Sequence, residues 1–287
     1  MSFGLRTTVA AICLLIFLPG SGLSYPSAQA EIQWLRSLSA ALGQASSEHK
    51  MIIAEMVADW CPWCKIMEKE TWAQPAVIAL SGRYVFLKLD IEKDGDGIAL
   101  AKKFRVSGLP TVMLMTSSGE EFTRLEEYYP AQEFIDKLKA VLADPESLGN
   151  LRTALIRDQE NIELRFKLGY GLFSRSNYTE AEGHFAQIIQ RDPQNKSKKT
   201  DASMFYLAVC KADRSDVEGS LAALDRLRKD FPDSNVVPGS FILAGQVLLR
   251  AGKRPEAREQ VQAFLKKYPG HPLTARANEL LAQIGNQ

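Results

Sequence analysis

The chain has 287 residues, 46% of them hydrophobic, which is room for two modest domains that each bury a core. Its 35 basic residues against 34 acidic ones leave it nearly neutral, and no block of one sign stands out. That balance excludes the basic footprint of a nucleic-acid binder and of a protein held to an anionic membrane surface.

In chain order, the first segment joins a basic start ending at Arg6 to an apolar run over residues 9–18 and a small-x-small site, Ala28-Gln29-Ala30. This pattern predicts a secretory signal peptide over residues 1–30, cut after Ala30, and a periplasmic or secreted protein beginning at Glu31. Cys13 falls in the discarded apolar run. The run is too short to cross a bilayer comfortably and no later segment is long and apolar enough, so no transmembrane span is expected in the mature chain.

Over residues 31–144 the periodicity alternates. An apolar-periodic helix is expected around Trp34, Leu35, Leu38 and Leu42, then a strand over 51–57 and a helix opened by Cys61. A buried strand over 85–91, a short helix over 98–104 and a strand over 111–115 follow, the last ended by the turn Ser117-Ser118-Gly119-Glu120. Residues 122–127 can pair back as a hairpin. Pro130 opens a helix whose Phe134, Ile135, Leu138, Val141 and Leu142 share a face. The reading is an α/β fold.

The run Asp59-Trp60-Cys61-Pro62-Trp63-Cys64-Lys65 carries the chemistry. A strand feeding a helix places Cys61 in the first helical turn, where free backbone N–H groups and the helix dipole stabilise a thiolate, with Cys64 beneath it. A zinc site needs four ligands, and His49, His184 and His271 lie too far apart in sequence to supply them; no metal is expected. Haem attachment needs His after Cys64, where Lys65 stands. An inert structural disulfide remains as the bland alternative to redox exchange.

Further motifs agree with that pair. Glu55 lies six residues before Cys61, Glu68 follows Cys64 by four, and Val106-Ser107-Gly108-Leu109-Pro110-Thr111 resembles a cis-proline loop. With Lys69-Glu70-Thr71-Trp72 and Pro75-Ala76-Val77, these residues make the first domain similar to the thioredoxin superfamily, and within it to the C-terminal thioredoxin-like domain of DsbD-type transmembrane thiol reductases. The resemblance implies a central mixed sheet flanked by helices and a protein thiol:disulfide oxidoreductase with Cys61 and Cys64 as its redox-active disulfide. The Cys-Pro-Trp-Cys pair departs from the Gly-Pro pair of thioredoxins, and reduction potential is not legible from it.

Physical roles can be assigned beside the resemblance. A buried Glu55 has a raised pKa and can take the proton of Cys64, with Lys88 on the neighbouring strand modulating its charge. Glu68 shares a helix face with both cysteines by spacing, and its carboxylate is expected to raise their pKa values; a solvated surface Glu is the alternative. Leu109, Pro110 and Thr111 are expected to offer an extended client a backbone edge, and Trp60, Pro62 and Trp63 to give it apolar surface. The sequence Asp90-x-Glu92-x-Asp94-Gly95-Asp96-Gly97 mimics a calcium loop, but its twelfth position is Ala101, so a solvated turn is expected.

Beyond Asp144-Pro145-Glu146-Ser147 strand signals vanish and helical periodicity runs on. Leu168-Gly169, Tyr178, Ala181, Phe185 and Pro193, then Leu207-Ala208, Leu224 and Pro232, then Gly245, Ala257, Val261 and Pro269, resemble tetratricopeptide repeats, with a cap after His271. Residues 145–287 are therefore expected to be an all-α repeat domain presenting a surface to a protein partner. Cys210, on an apolar helical face, is expected to be a buried, inert thiol, with a third redox centre or an intermolecular bridge as the alternative.

The function expected is an exported reductase of protein disulfides, served by a separate thiol electron donor such as a membrane reductase and needing no bound cofactor. A chaperone or assembly adapter, with repeats that hold clients and accessory thiols, is the alternative.

Overall fold

A computed structural model describes residues 31–285. The expected signal peptide, its cut after Ala30 and Cys13 lie outside them.

The strand β1 (Met51–Val57) is apolar on both faces except at Glu55, and its five central residues are buried. A strand so composed belongs in the middle of a sheet covered by helices on both sides. It pairs in parallel with β2 (Tyr84–Asp90) and antiparallel with β3 (Thr111–Met115), which pairs antiparallel with β4 (Glu121–Leu125). The sheet order is β2-β1-β3-β4.

The period of two along these strands builds two cores. Ile53, Phe86, Val112 and Leu114 face Met67, Trp72, Phe134 and Leu138. These come from α2 (Pro62–Met67), a π-helical turn over Glu68–Trp72, and α5 (Ala131–Ala143). The short α3 (Pro75–Ile78) adds Val77 to the same side. On the other face Ala54, Met56, Leu87, Leu89, Met113 and Met115 meet α1 (Leu38–Glu48) and α4 (Gly95–Phe104). Phe134 and Phe104 are among the fully buried rings, each stabilising its face by about 2–3 kcal/mol.

Two local expectations change. Trp34 and Leu35 precede the first helix, because Ser37 caps it and Leu35 instead bridges Leu87 on the β2 edge. Cys61 is the N-cap of α2 and not a residue of its first turn, since Pro62 takes the first helical position. The helix carrying the cysteines keeps the α pattern up to Glu68, whose N–H donates to the Cys64 carbonyl, and takes π geometry over Glu68–Trp72.

From residue 148 the chain is helical. A single helix, α6 (Leu148–Arg157), precedes the pairs α7 (Ile162–Ser174) with α8 (Tyr178–Arg191), α9 (Thr200–Asp213) with α10 (Val217–Asp230), and α11 (Val237–Arg250) with α12 (Arg254–Lys267). The final helix, α13 (Thr274–Gly285), packs Ala277, Leu280 and Ile284 onto the last pair. Each turn within a pair reverses through one left-handed residue, Ser176, Ser215 or Gly252. Gly245 lets α11 approach α12 closely, since a Cβ there would meet Val261 at 2.8 Å.

The helix α6 fastens the repeats to the sheet. A Cβ on Gly149 would lie 1.9 Å from the Phe122 ring, so only glycine lets α6 rest on β4. Arg152 donates to the Glu121 carbonyl and to both oxygens of Glu180, at 2.8 and 3.0 Å for the latter. A second contact joins Arg105, after α4, to Asp213 at the end of α9, with the Arg105 guanidinium 4.6 Å from the Tyr178 ring centre.

Candidate active site

The sheet places the chemistry at the carboxyl end of β1. Cys61 and Cys64 are joined by a disulfide, with their Cα atoms 5.4 Å apart. The Cys64 N–H donates to Cys61 Sγ at 3.1 Å, so the sulfur of Cys61 takes one of the orphan donors of the helix end. The same donor and the dipole behind it stabilise a thiolate at Cys61 once the pair is reduced. In the disulfide form both residues are buried, Cys61 at 1% and Cys64 at 6% exposure. Attack on either sulfur therefore requires a neighbouring side chain to move.

Beneath the pair lies a charged trio. Glu55 is 0% exposed on β1, and its in-register partner on β2 is Lys88. The parity that sends Ile53 and Phe86 to the α2 side sends Glu55 and Lys88 there too. Trp72 Nε1 donates to Glu55 Oε1 at 2.8 Å, and Lys88 Nζ lies 3.0 Å from Oε2 without an aligned hydrogen bond. Burial raises the Glu55 pKa above the usual carboxylate range, against the opposing pull of the Lys88 ammonium and the Trp72 donor. Lys88 also donates to Glu68, which is half-exposed, and its ammonium lies 4.3 Å from the Trp34 ring centre. Glu68 is thus tied to Lys88.

The Leu109–Pro110 peptide bond is cis. Thr111 opens β3 opposite Met56, so the loop of Leu109, Pro110 and Thr111 stands beside the end of β1 that runs into Cys61. Its shape is held by Thr111 Oγ1 donating to the Gly108 carbonyl at 2.7 Å. Trp60 and Trp63, 62% and 52% exposed, flank and interrupt the cysteines. Trp60 Nε1 donates to Glu92 at 2.8 Å, while Trp63 stacks on Tyr128 with ring centres 5.5 Å apart.

Sequence reasoning missed two partners, Trp72 on Glu55 and Tyr128 on Trp63. Trp72 falls within a stretch that carried the resemblance, but nothing local says that its indole reaches back to β1. Tyr128 lies far along the chain and reaches Trp63 only through the fold. The calcium-like run is a turn whose carboxylates accept backbone N–H groups: Asp90 from Glu92 and Lys93, Asp94 from Asp90, and Asp96 from Leu38. Among the described residues no cluster of His, Cys, Asp and Glu could hold a metal ion. Burial pushes the Cys210 thiol up to about 12, which keeps it protonated and unreactive.

A mixed sheet with a buried Glu beneath a helix-capping Cys-x-x-Cys disulfide and a cis-proline loop beside it defines a thioredoxin-like domain, here followed by tetratricopeptide repeats. Comparison with known families matches a thioredoxin-like domain to residues 38–142 and tetratricopeptide repeats to 202–234 and 242–287. The curated relatives include the thiol:disulfide interchange protein DsbD of Haemophilus ducreyi, 34% identical over 89 residues, 30% of this chain and 16% of that one. The DsbD of Vibrio cholerae is 35% identical over 108 residues, 36% of this chain and 18% of that one. The match thus spans less than a fifth of the length of these relatives. Among solved structures, the oxidised C-terminal domain of Neisseria meningitidis DsbD is 28% identical with a TM-score of 0.32, covering 38% of this chain and 98% of that one. The Cys61–Cys64 disulfide lies within the segment that matches the thioredoxin-like domain. Among the described residues no helix is long and apolar enough to cross a membrane.

Proposed function

We propose that the chain is an exported reductase of protein disulfides, working in the periplasm, with residues 31–144 as the redox domain and residues 145–287 as a partner-binding repeat domain. The observation that carries this reading is the Cys61–Cys64 disulfide set above a buried carboxyl whose pKa burial raises. The signal-like start of the sequence and the DsbD relatives support the compartment.

In the reduced enzyme the Cys61 thiolate attacks one sulfur of a client disulfide. A Cys61–client disulfide forms and the other client sulfur leaves as a thiolate, which takes a proton from water. Ionised Glu55 then accepts the Cys64 proton, directly or through water, and the Cys64 thiolate attacks Cys61 Sγ. The Cys61–Cys64 disulfide re-forms and the second client sulfur leaves, so two electrons have passed from the dithiol to the client. Lys88 stabilises the ionised form of Glu55 and Glu68 holds Lys88 in place. A separate dithiol donor, for which a membrane reductase is the expected class, returns two electrons and resets the pair.

Trp60, Pro62 and Trp63 supply apolar surface to the client, and the loop of Leu109, Pro110 and Thr111 supplies a backbone edge to which an extended segment pairs. Reduction of insulin by dithiothreitol in the presence of the protein tests this reading. The wild type accelerates precipitation of the freed chains; Cys61→Ser does not. Equal rates for the two proteins would reject the proposed chemistry.

A further inference from the structure

We infer that the groove between α6, α7 and α8 is a binding site for a carboxylate carried on an apolar body, with Arg165 as the anchor for the carboxylate. The groove encloses about 410 Å3 and lies in the repeat region, apart from the dithiol.

Arg165 lines it from α7 and is only 5% exposed. A buried guanidinium is costly unless an anion answers it. Among the described residues no carboxylate pairs with Arg165: it donates to the Gln187 side-chain oxygen and the Gln159 carbonyl, both neutral, and its Nε–H is buried without a partner. The other charges around the groove are already engaged. Arg152 holds both oxygens of Glu180, at 2.8 and 3.0 Å, and Arg191 lies 2.7 Å from Glu160. Arg152 is further paired with Glu120 at 3.7 Å, so among the described residues Arg165 is the groove's one guanidinium without a carboxylate partner.

A second polar atom points the same way. His184 lines the groove from α8 with Nδ1 buried and unpartnered. Burial, aided by Arg165 and Arg152, pushes its pKa down to about 4, so the ring is neutral at pH 7 and does not compete with Arg165 for the anion. The remaining wall is apolar, from Leu155 and Ile156 on α6 and Leu168 on α7. Ile156 is 72% exposed at the rim, a large apolar side chain left uncovered by the described residues.

One guanidinium without a carboxylate partner, beside two that are already paired, suits a monoanion and disfavours a phosphate dianion, and the apolar rim disfavours a small hydrated ion. A carboxylate attached to an aliphatic group satisfies both. It can come from a free branched-chain acid or from the last residue of a polypeptide.

The test is calorimetric titration of the full chain with 4-methylpentanoate, with an acetylated pentapeptide ending in Leu, and with the same peptide amidated. The His184 ring resonances are followed by NMR in parallel. Saturable binding of an acid that shifts those resonances, with no binding of the amide, is the expected result. Equal affinity for the two acids assigns a free small ligand, and a tighter peptide acid assigns a chain terminus. Arg165→Lys, which keeps the charge but loses the planar fork, weakens binding about tenfold or more. Ile156→Glu puts a carboxylate at the exposed rim, should abolish binding, and carries the test even where Arg165→Lys loses its fold. The proposal is overturned by no saturable binding of either acid, by an amide that binds as well as its acid, or by affinities that Ile156→Glu leaves unchanged.

Discussion

Lys88 stands directly opposite Glu55 on the neighbouring parallel strand, with its ammonium 3.0 Å from Glu55 Oε2 and its other contact on Glu68. One cation thus serves two carboxyls, one fully buried and one half-exposed. The fold keeps a carboxyl buried on the α2 side of the sheet at the cost of burying charge.

Glu55→Gln should separate stability from activity. The raised pKa means that the folded chain holds the Glu55 proton more tightly than the unfolded chain. This contribution to stability is present below the unfolded carboxyl value of about 4.3 and is lost as pH rises through the higher folded value. The glutamine keeps an oxygen for Trp72 and leaves Lys88 paired with Glu68, so the variant is expected to be more stable than wild type at pH 8 by about 1–2 kcal/mol. Resolution of the Cys61 mixed disulfide should slow about a hundredfold. Denaturant titrations at pH 5 and pH 8, with quenched-flow trapping of the mixed disulfide, check both.

Glu68→Gln tests the charge sharing. Glu68 raises the Glu55 pKa through its own negative charge. Its removal leaves Lys88 to Glu55 alone, so the Glu55 pKa should fall, while the Cys61 thiol pKa in the reduced enzyme should move little. A large drop in the thiol pKa, read from alkylation rate against pH, would restore the direct action on the thiols that helical spacing suggested.

Much of this arrangement was legible in the sequence, because it rests on local rules. The apolar alternation of β1, the strand-to-helix step at Cys61 and the Gly or Ala positions that admit helix pairing are all short-range signals. What was not legible depends on long-range contact. Trp34 and Leu35 look helical by period, yet Leu35 is captured by the β2 edge. Glu68 is drawn off to Lys88 on β2, a contact that helical spacing does not show. The helix α6 bears no repeat signature; it docks because Gly149 admits Phe122.

That docking predicts a specific cost. Gly149→Ala drives a methyl group into the Phe122 ring and should destabilise the chain by about 1–3 kcal/mol, with Phe122→Leu restoring part of the loss in the double variant. Thermal unfolding of the two single variants and the pair gives the coupling. Simple additivity would show that the two residues do not meet.

His184 predicts an acid-side loss of stability. Its pKa lies near 4 in the folded chain and near 6.5 unfolded, so the unfolded state binds more protons between those values. Stability conferred by the neutral ring is present above pH 6.5 and is lost as pH falls toward 4, by up to roughly 3 kcal/mol. In His184→Gln this part of the slope should disappear. An unchanged slope in denaturant titrations across that window would place the titrating group elsewhere.

The central claim, that Cys61 attacks protein disulfides and Cys64 resolves them, is tested most directly by expressing Cys64→Ser in the exporting cell. The trapped adducts are then identified by mass spectrometry after alkylation of free thiols. The account predicts discrete client proteins joined through Cys61, absent from Cys61→Ser and released by reductant. An accessible Cys61 that carries no protein adduct would contradict it and move the function to the repeats, as a client-holding adapter with accessory thiols.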